Sequence, residues 1–239
     1  MKWTEKYRVS NLDTDINRKL SLTGIMRYMQ DTAFYHMEGK KPSYEELFLE
    51  KKAFMINRLT LEVYKEIKSH EEITLETWMS ENSTPLTYDH CFRIIKDGET
   101  AAEAITVWSL FDFENRKFIP YREFESGYLT DEILPLDIPR RLKIPAEVEL
   151  SAVGEYTVGY RDCDMNMHMN NTVYGDVFCG YIPDMKGKEV VHFDMNYRRE
   201  APLGEKVQVK MGTSGEGEYY FRSMLGDTVN AEAFIRVEG

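Results

Sequence analysis

Residues 160–171 read YRDCDMNMHMNN and set Asp162, Asp164, Asn166 and His168 at alternate positions of one short stretch. Histidine is the side chain whose ordinary pKa lies near neutrality, so His168 can give or take a proton at working pH. A carboxylate beside it can orient the ring or share its proton, and an asparagine amide can hold an oxygen on which charge develops. Glu200, in NYRREAPLGEKV, is a second acid of the same kind. These residue types suit hydrolysis by an activated water.

Plainer readings compete with that one. Asp-x-Asp-x-Asn opens a calcium loop, but the sixth position, which needs glycine, is Met167, and the twelfth, which needs glutamate, is Val173. No metal or other cofactor is expected. Asp and Asn side chains also bond nearby amides and organise turns, which requires no chemistry. Glu200 can likewise be an exposed strand-end carboxylate paired with Arg198 or Arg199.

The rest of the chain supplies a control, because the unit around the loop is written twice. YRVSNLDTDINRKLSLT from Tyr7 aligns without a gap on YTVGYRDCDMNMHMNNT from Tyr156, an offset of 149. FRIIKDGETAAEA from Phe92 aligns on FRSMLGDTVNAEA from Phe221 at 129, and between them Tyr64 with Tyr197 and Glu72 with Glu205 give 133. The falling offset puts roughly sixteen extra residues into the first copy, near EGKKPSYEELFLEKKAF. On this alignment the first copy has Lys19 in place of His168, Ser21 in place of Asn170 and the apolar Ile67 in place of Glu200. A shared scaffold with one specialised copy is the expectation.

Each copy reads as a short strand, the polar loop, a helix and several long strands. Leu22, Ile25, Met26, Met29, Ala33 and Met37 recur at helical spacing, with Ser21 or Thr23 as cap. RLTLEVYKEI, EITLETWMS, KVQVKMG and AEAFIRVE alternate like strands, and Asp97-Gly98 marks a hairpin turn. In the second copy the helix is expected to begin at Asn170 or Asn171, where free amides would suit an oxyanion, so both are substrate-binding candidates. The fold class is α+β: residues 1–119 one repeat, 120–150 a proline-containing linker along the surface of both copies, and 151–239 the second, catalytic repeat.

Composition narrows the partners. A net charge of −11 argues against a nucleic-acid backbone. No run reaches the roughly 18 apolar residues of a membrane span, and the first residues resemble neither a secretory nor a transit leader. Cys91, Cys163 and Cys179 form no CxxC pair, which fits a reducing cytoplasm.

DCDMNMHMNNTVY followed by NYRREA resembles the acyl-acyl carrier protein thioesterases, and the likeness runs through the linker and ITVWSLFDFENRKFIPYREF. The resemblance implies a double hotdog, each copy a curved antiparallel sheet around a long helix. It implies hydrolysis of the thioester between a fatty acyl chain and the phosphopantetheine arm of acyl carrier protein, releasing free fatty acid. The active positions carried over are Asp164, Asn166, His168 and Glu200. The family often has cysteine after the glutamate, but here that residue is Ala201, so a cysteine nucleophile is not expected, and Cys163 and Cys179 look structural. That leaves Glu200 with His168 activating water, Asn166 on the thioester oxygen or the water, and Asp164 setting the histidine; a variant has Asp164 attacking.

Met26, Met29, Ala33, Phe34 and Met37 are acyl-tunnel candidates, with ordinary core as the alternative. Arg140, Arg141 and Lys143, and Arg198 with Arg199, are the basic clusters offered to the acidic carrier protein. A dehydratase of the same fold and a non-catalytic carrier-binding module are the rival functions. One chain already holds two copies, so either a monomer or a homodimer fits.

Overall fold

The computed structural model describes residues 2–39, 41–80, 84–120, 123, 129–130, 132–139 and 141–239. The first copy contains β1 (Trp3–Arg8), α1 (Leu22–Glu38), α2 (Tyr44–Leu49), β2 (Lys52–Val63), β3 (Glu72–Ser80), β4 (Tyr88–Lys96) and β5 (Glu99–Asp112). Short strands β6 (Lys117–Ile119) and β7 (Leu129–Thr130) follow. The second copy contains β8 (Ser151–Thr157), α3 (Val173–Cys179), β9 (Glu189–Tyr197), β10 (Lys206–Gly215), β11 (Glu218–Leu225) and β12 (Thr228–Glu238).

The strands join in one sheet in the order β1-β3-β4-β5-β2-β9-β12-β11-β10-β8. Read outward from the β2–β9 seam, the two halves carry the same sequence of elements, so the seam relates the copies by an approximate twofold. Its pairs include Thr60 opposite Asp194 and Glu62 opposite His192. Asp97 and Gly98 both have positive φ, 53° and 80°, as a two-residue hairpin turn demands.

α1 lies along the inner face. Its stripe of Leu22, Ile25, Met26, Met29, Ala33 and Met37 is entirely buried, and Ser21 caps it by accepting from the Gly24 amide. Burying each large side chain of such a stripe contributes roughly 1.5–3 kcal/mol. Where α1 meets α3, a Cβ on Gly175 would stand 2.8 Å from Leu22 Cγ, so only glycine allows that approach. Thr23 ties the two helix starts together: its hydroxyl donates to Thr172 O and accepts from the Asp176 amide.

Two expectations need correction. The second helix is not long: α3 has 7 residues. Gly180 and Pro183 stand where α1 has Asp31 and Phe34, and both disfavour a continuing helix. The strand-end alignment is also one residue out. Val9 N donates to Glu71 O as Val158 N does to Glu205 O, and Leu20 N donates to Ile67 O as Met169 N does to Ala201 O. Glu71, not Glu72, therefore matches Glu205; Tyr64 matches Arg198; Ile67 matches Ala201; and Glu66 matches Glu200. Identical residue types had drawn the sequence alignment one position off the hydrogen-bond register.

The linker packs on the outer face of the sheet. Leu134 covers Trp78, Cys91 and Ile105, Trp78 Nε1 donates to Glu132 O, and Arg58 donates to Pro139 O.

Candidate active site

The loop between β8 and α3 is rigid by construction. A 3₁₀ turn over Tyr160–Asp162 leads into it, closed by Gly159 N donating to Asp162 Oδ2 at 2.7 Å. Asp164 N donates to His168 O, Met167 N to Asp164 O, and Asn166 N to Asp164 Oδ1. The chain turns at Met167, with φ 62°. Leu203 N and Met169 N, bonded to Met167 O and Ala201 O, staple the loop to the chain after β9. That staple brings His168 beside Glu200 across thirty-two positions of sequence, with Nδ1 3.3 Å from Oε2.

His168 Nδ1 is buried and has no hydrogen-bond partner among the described residues, the approach to Glu200 being close but not a hydrogen bond. The imidazole is 30% and the Glu200 side chain 59% exposed, so both are reachable by a small molecule. The Asn166 side chain is exposed and makes no hydrogen bond among the described residues. Asp164 is different. Its carboxylate holds the Asn166 amide, and its link to His168 runs through the backbone, so it shapes the loop rather than touching the ring. Tyr44 of α2 has its pKa raised, first by burial and then by the charge of Asp164, which puts α2 beside this loop.

The neighbours decide what else is possible. Arg198 does not pair with Glu200: Arg198 and Arg222 both clamp the buried Glu232, at 2.5 and 2.7 Å. Arg199 reaches Thr228 Oγ1. Asn170 accepts from Thr172 N through its side chain and from Val173 N through its carbonyl, while Thr23 takes Asp176 N. Much of the expected helix-start oxyanion donor set is thus already in use, and α3 begins at Val173, not at Asn170 or Asn171. Tyr197 donates to Asn171 O at 2.9 Å.

None of the thiols is set up as a nucleophile. Burial, then Asp162 and Asp164, push the Cys163 thiol up, and burial pushes Cys91 and Cys179 up to about 12. Ala201 is fully buried, so the position after Glu200 faces the core. Among the described residues no group of three or more His, Cys, Asp or Glu is placed to hold a metal.

Three residues that sequence reasoning passed over, Asn230, Tyr174 and Tyr197, build the turn that leads to Glu200. Asn230 is fully buried; its carbonyl accepts from Arg198 N and Arg199 N, and its side chain donates to Arg199 O. Tyr174 packs edge-on against Tyr197 at 5.7 Å, and its pKa is raised first by burial, against a hydrogen bond with Asn230, with the charge of Glu200 a lesser cause. The first copy has Ala101, Ile25 and Val63 at the corresponding positions; the first two differences were visible in the repeat, and the third emerged only with the corrected register.

The other candidates scatter. Met26, Met29, Ala33 and Met37 are core, and Phe34 is 44% exposed. Arg141 and Lys143 line an outer-face groove with Asp194, Tyr220 and Phe234, on the side of the sheet away from the helices. Arg140 lies outside the described residues. A small polar cleft beside the loop is bordered by Arg27, Asp31, Arg161, Cys163 and Asn170.

Comparison with known proteins agrees over the whole chain. A family model for the acyl-ACP thioesterase N-terminal domain matches residues 1–123, and one for the C-terminal domain matches residues 146–233. An acyl-ACP thioesterase from Bacteroides thetaiotaomicron is similar in structure, with TM-score 0.89 and 22% identity over 99% of this chain and 98% of that one. The 12:0-ACP thioesterase from Umbellularia californica has TM-score 0.83 and 18% identity over 99% and 97%. No curated protein matches by sequence.

Proposed function

The chain belongs to the acyl-ACP thioesterase family, and from that premise we propose how it hydrolyses the thioester of fatty acyl-ACP: with water activated by His168 and Glu200. The observation that carries the reading is the 3.3 Å approach of His168 Nδ1 to Glu200 Oε2 on a loop stapled to that glutamate. One of this pair takes the proton of the attacking water as oxygen adds to the carbonyl carbon. The carbon–sulfur bond then breaks, and the proton passes to the leaving phosphopantetheine thiolate, giving free acid and free thiol.

Asn166, with its amide unspent, is the group that holds the thioester oxygen or the water. Asp164 is a positioning residue. The raised thiols of Cys163 and Cys179 and the buried Ala201 support a route without cysteine.

We read the architecture as a double hotdog, with residues 1–119 and 151–239 as its two repeats and 120–150 as the linker. Its sheet order is symmetric about the seam, and only the first repeat has a long helix. One chain supplies both repeats, so the monomer suffices. Three free cysteines favour a cytoplasmic setting. For the carrier protein, Arg27 and Arg161 are better placed than Arg141, Lys143 or the spent Arg198, because they border the cleft beside the loop.

The test is thiol release from acyl-ACP of several chain lengths. Release of both thiol and free acid by the wild type, lost in His168→Ala and Glu200→Ala with little change in KM, supports the assignment. An enoyl thioester product with no thiol would make the chain a lyase, and an unchanged rate in both variants would remove the pair from the mechanism.

A further inference from the structure

The first copy keeps the scaffold of the catalytic loop. Asp15 N donates to Lys19 O, Arg18 N to Asp15 O, and Arg18 has φ 60° against 62° at Met167. Where the second copy has His168 and Glu200, it has Lys19 and Glu66, 3.2 Å apart, with Glu189 of β9 a further 2.9 Å contact of the same ammonium. Asn17, the match of Asn166, is fully engaged: its side chain donates to Met185 O and Lys188 O and accepts from Gly187 N. This loop is chemically closed.

Beside it, however, lies a cavity of about 380 Å³, within the roughly 300–1,000 Å³ that small-molecule sites occupy. Both copies build its apolar wall: Leu20, Leu22, Ile25 and Val63 from the first, Ile182 and Val190 from the second. In the second copy Tyr174 and Tyr197 stand at the positions of Ile25 and Val63 and pack edge-on against one another at 5.7 Å, filling space that the smaller pair leaves open.

The charges at the cavity select its guest. Lys19 is neutralised by Glu66 and Glu189, the Asp15 carboxylate accepts from Asn17 N and Lys19 N, and Asp176 accepts from Thr23 N. An entering anion would have to displace a carboxylate from Lys19, or take Lys65 from its partner Glu99, and then sit among Asp15, Glu66, Asp176 and Glu189. A hydroxyl can instead donate to a carboxylate and accept from the ammonium without breaking either pair.

We propose that this cavity is a second, non-hydrolytic binding site for a straight apolar chain ending in an uncharged hydroxyl. The site is separate from the catalytic loop and does not take the fatty acid anion.

The test is calorimetric titration of octan-1-ol into the whole chain, for the wild type, Ile25→Tyr, Val63→Tyr and Glu200→Gln. The first two variants install the residues of the second copy. The expected result is a one-per-chain binding component that Ile25→Tyr and Val63→Tyr weaken by about tenfold or more, as a pocket misfit of one or two methylenes does. Glu200→Gln keeps that component, octanoate does not displace it, and acyl-ACP turnover is unchanged in Ile25→Tyr. Should either tyrosine variant fail to fold by circular dichroism, Ile182→Phe fills the cavity from the opposite wall and must give the same loss. The proposal is overturned if octan-1-ol shows no such component, if filling the cavity leaves it intact, if Glu200→Gln removes it, or if octanoate competes equally.

Discussion

Loops 10–21 and 159–170 have nearly the same backbone and opposite chemistry. Both turn through a left-handed residue, both are stapled to the chain after a central strand, and each sets a cationic or titratable side chain beside a glutamate. In the first copy the partners are Lys19 with Glu66 and Glu189, a closed ion-pair cluster in which hydrogen bonding to Glu189 leads the rise in the lysine's pKa. In the second they are His168 and Glu200, close but not hydrogen-bonded, with Asn166 unspent. The scaffold alone therefore does not make an active site. What distinguishes them is an imidazole in place of an ammonium, and an amide left without a partner among the described residues.

The sharpest way to break this comparison is to make the second loop resemble the first. His168→Lys leaves an ion pair with Glu200 but puts there an ammonium whose ordinary pKa of about 10.4 keeps it from acting as a base near neutrality, so turnover falls by about 10²–10⁴-fold, the range for a lost general acid–base group. Single-turnover thiol release measures it, and activity within a few-fold of wild type would show that the histidine is not the proton carrier. The reverse change, Lys19→His, does not raise turnover per chain, because Asn17 stays clamped by residues 185–188. A doubled rate would mean that the clamp is irrelevant.

The core compares the copies in stability. Phe178 is fully buried and stacks on Phe221 at 4.9 Å, while the matching residue of α1 is Met29. Phe178→Ala is expected to cost about 3–5 kcal/mol and Met29→Ala about 2–5 kcal/mol in denaturant melts. A negligible loss at Phe178 would show that the short helix contributes little to the fold.

The smallest effect is at the seam, where Glu62 opposite His192 in one half answers Asn196 opposite Arg58 in the other. Burial lowers the His192 pKa, but hydrogen bonds and charges from Asp194 and Glu62 outweigh it and leave it raised. Arg236 of β12 also reaches Glu62, at 3.9 Å. The folded state thus holds the proton more tightly than the unfolded chain. The resulting stability is fully present below the ordinary histidine pKa of about 6.5 and is lost as pH rises through the raised folded value. Melts from pH 6 to 9 should show this loss in the wild type and not in His192→Gln; parallel curves would sink the idea.

Much of this was legible in the sequence. The repeat, the buried stripe of α1, the Asp97-Gly98 hairpin and the loop residues Asp164, Asn166 and His168 all followed from spacing, because periodicity and turn chemistry are local properties. So was a signal not used: Ser43-x-x-Glu46 is a capping box and starts α2 inside the insertion.

What the tertiary structure decided is register and approach. Equivalent hydrogen bonds within each copy, not residue identity, matched Glu66 to Glu200 and showed that the first copy also carries an acid there. Packing determined that Arg198 serves Glu232, that Asn230 and two tyrosines hold the Glu200 turn, and that the cavity lies beside the loop without a histidine. The sequence by itself named the candidate groups, since a side chain's chemistry is its own. Which of them stand within reach of one another, and which are spent on a neighbour, depends on hydrogen-bond register and side-chain volume, and those are set only when the chain folds.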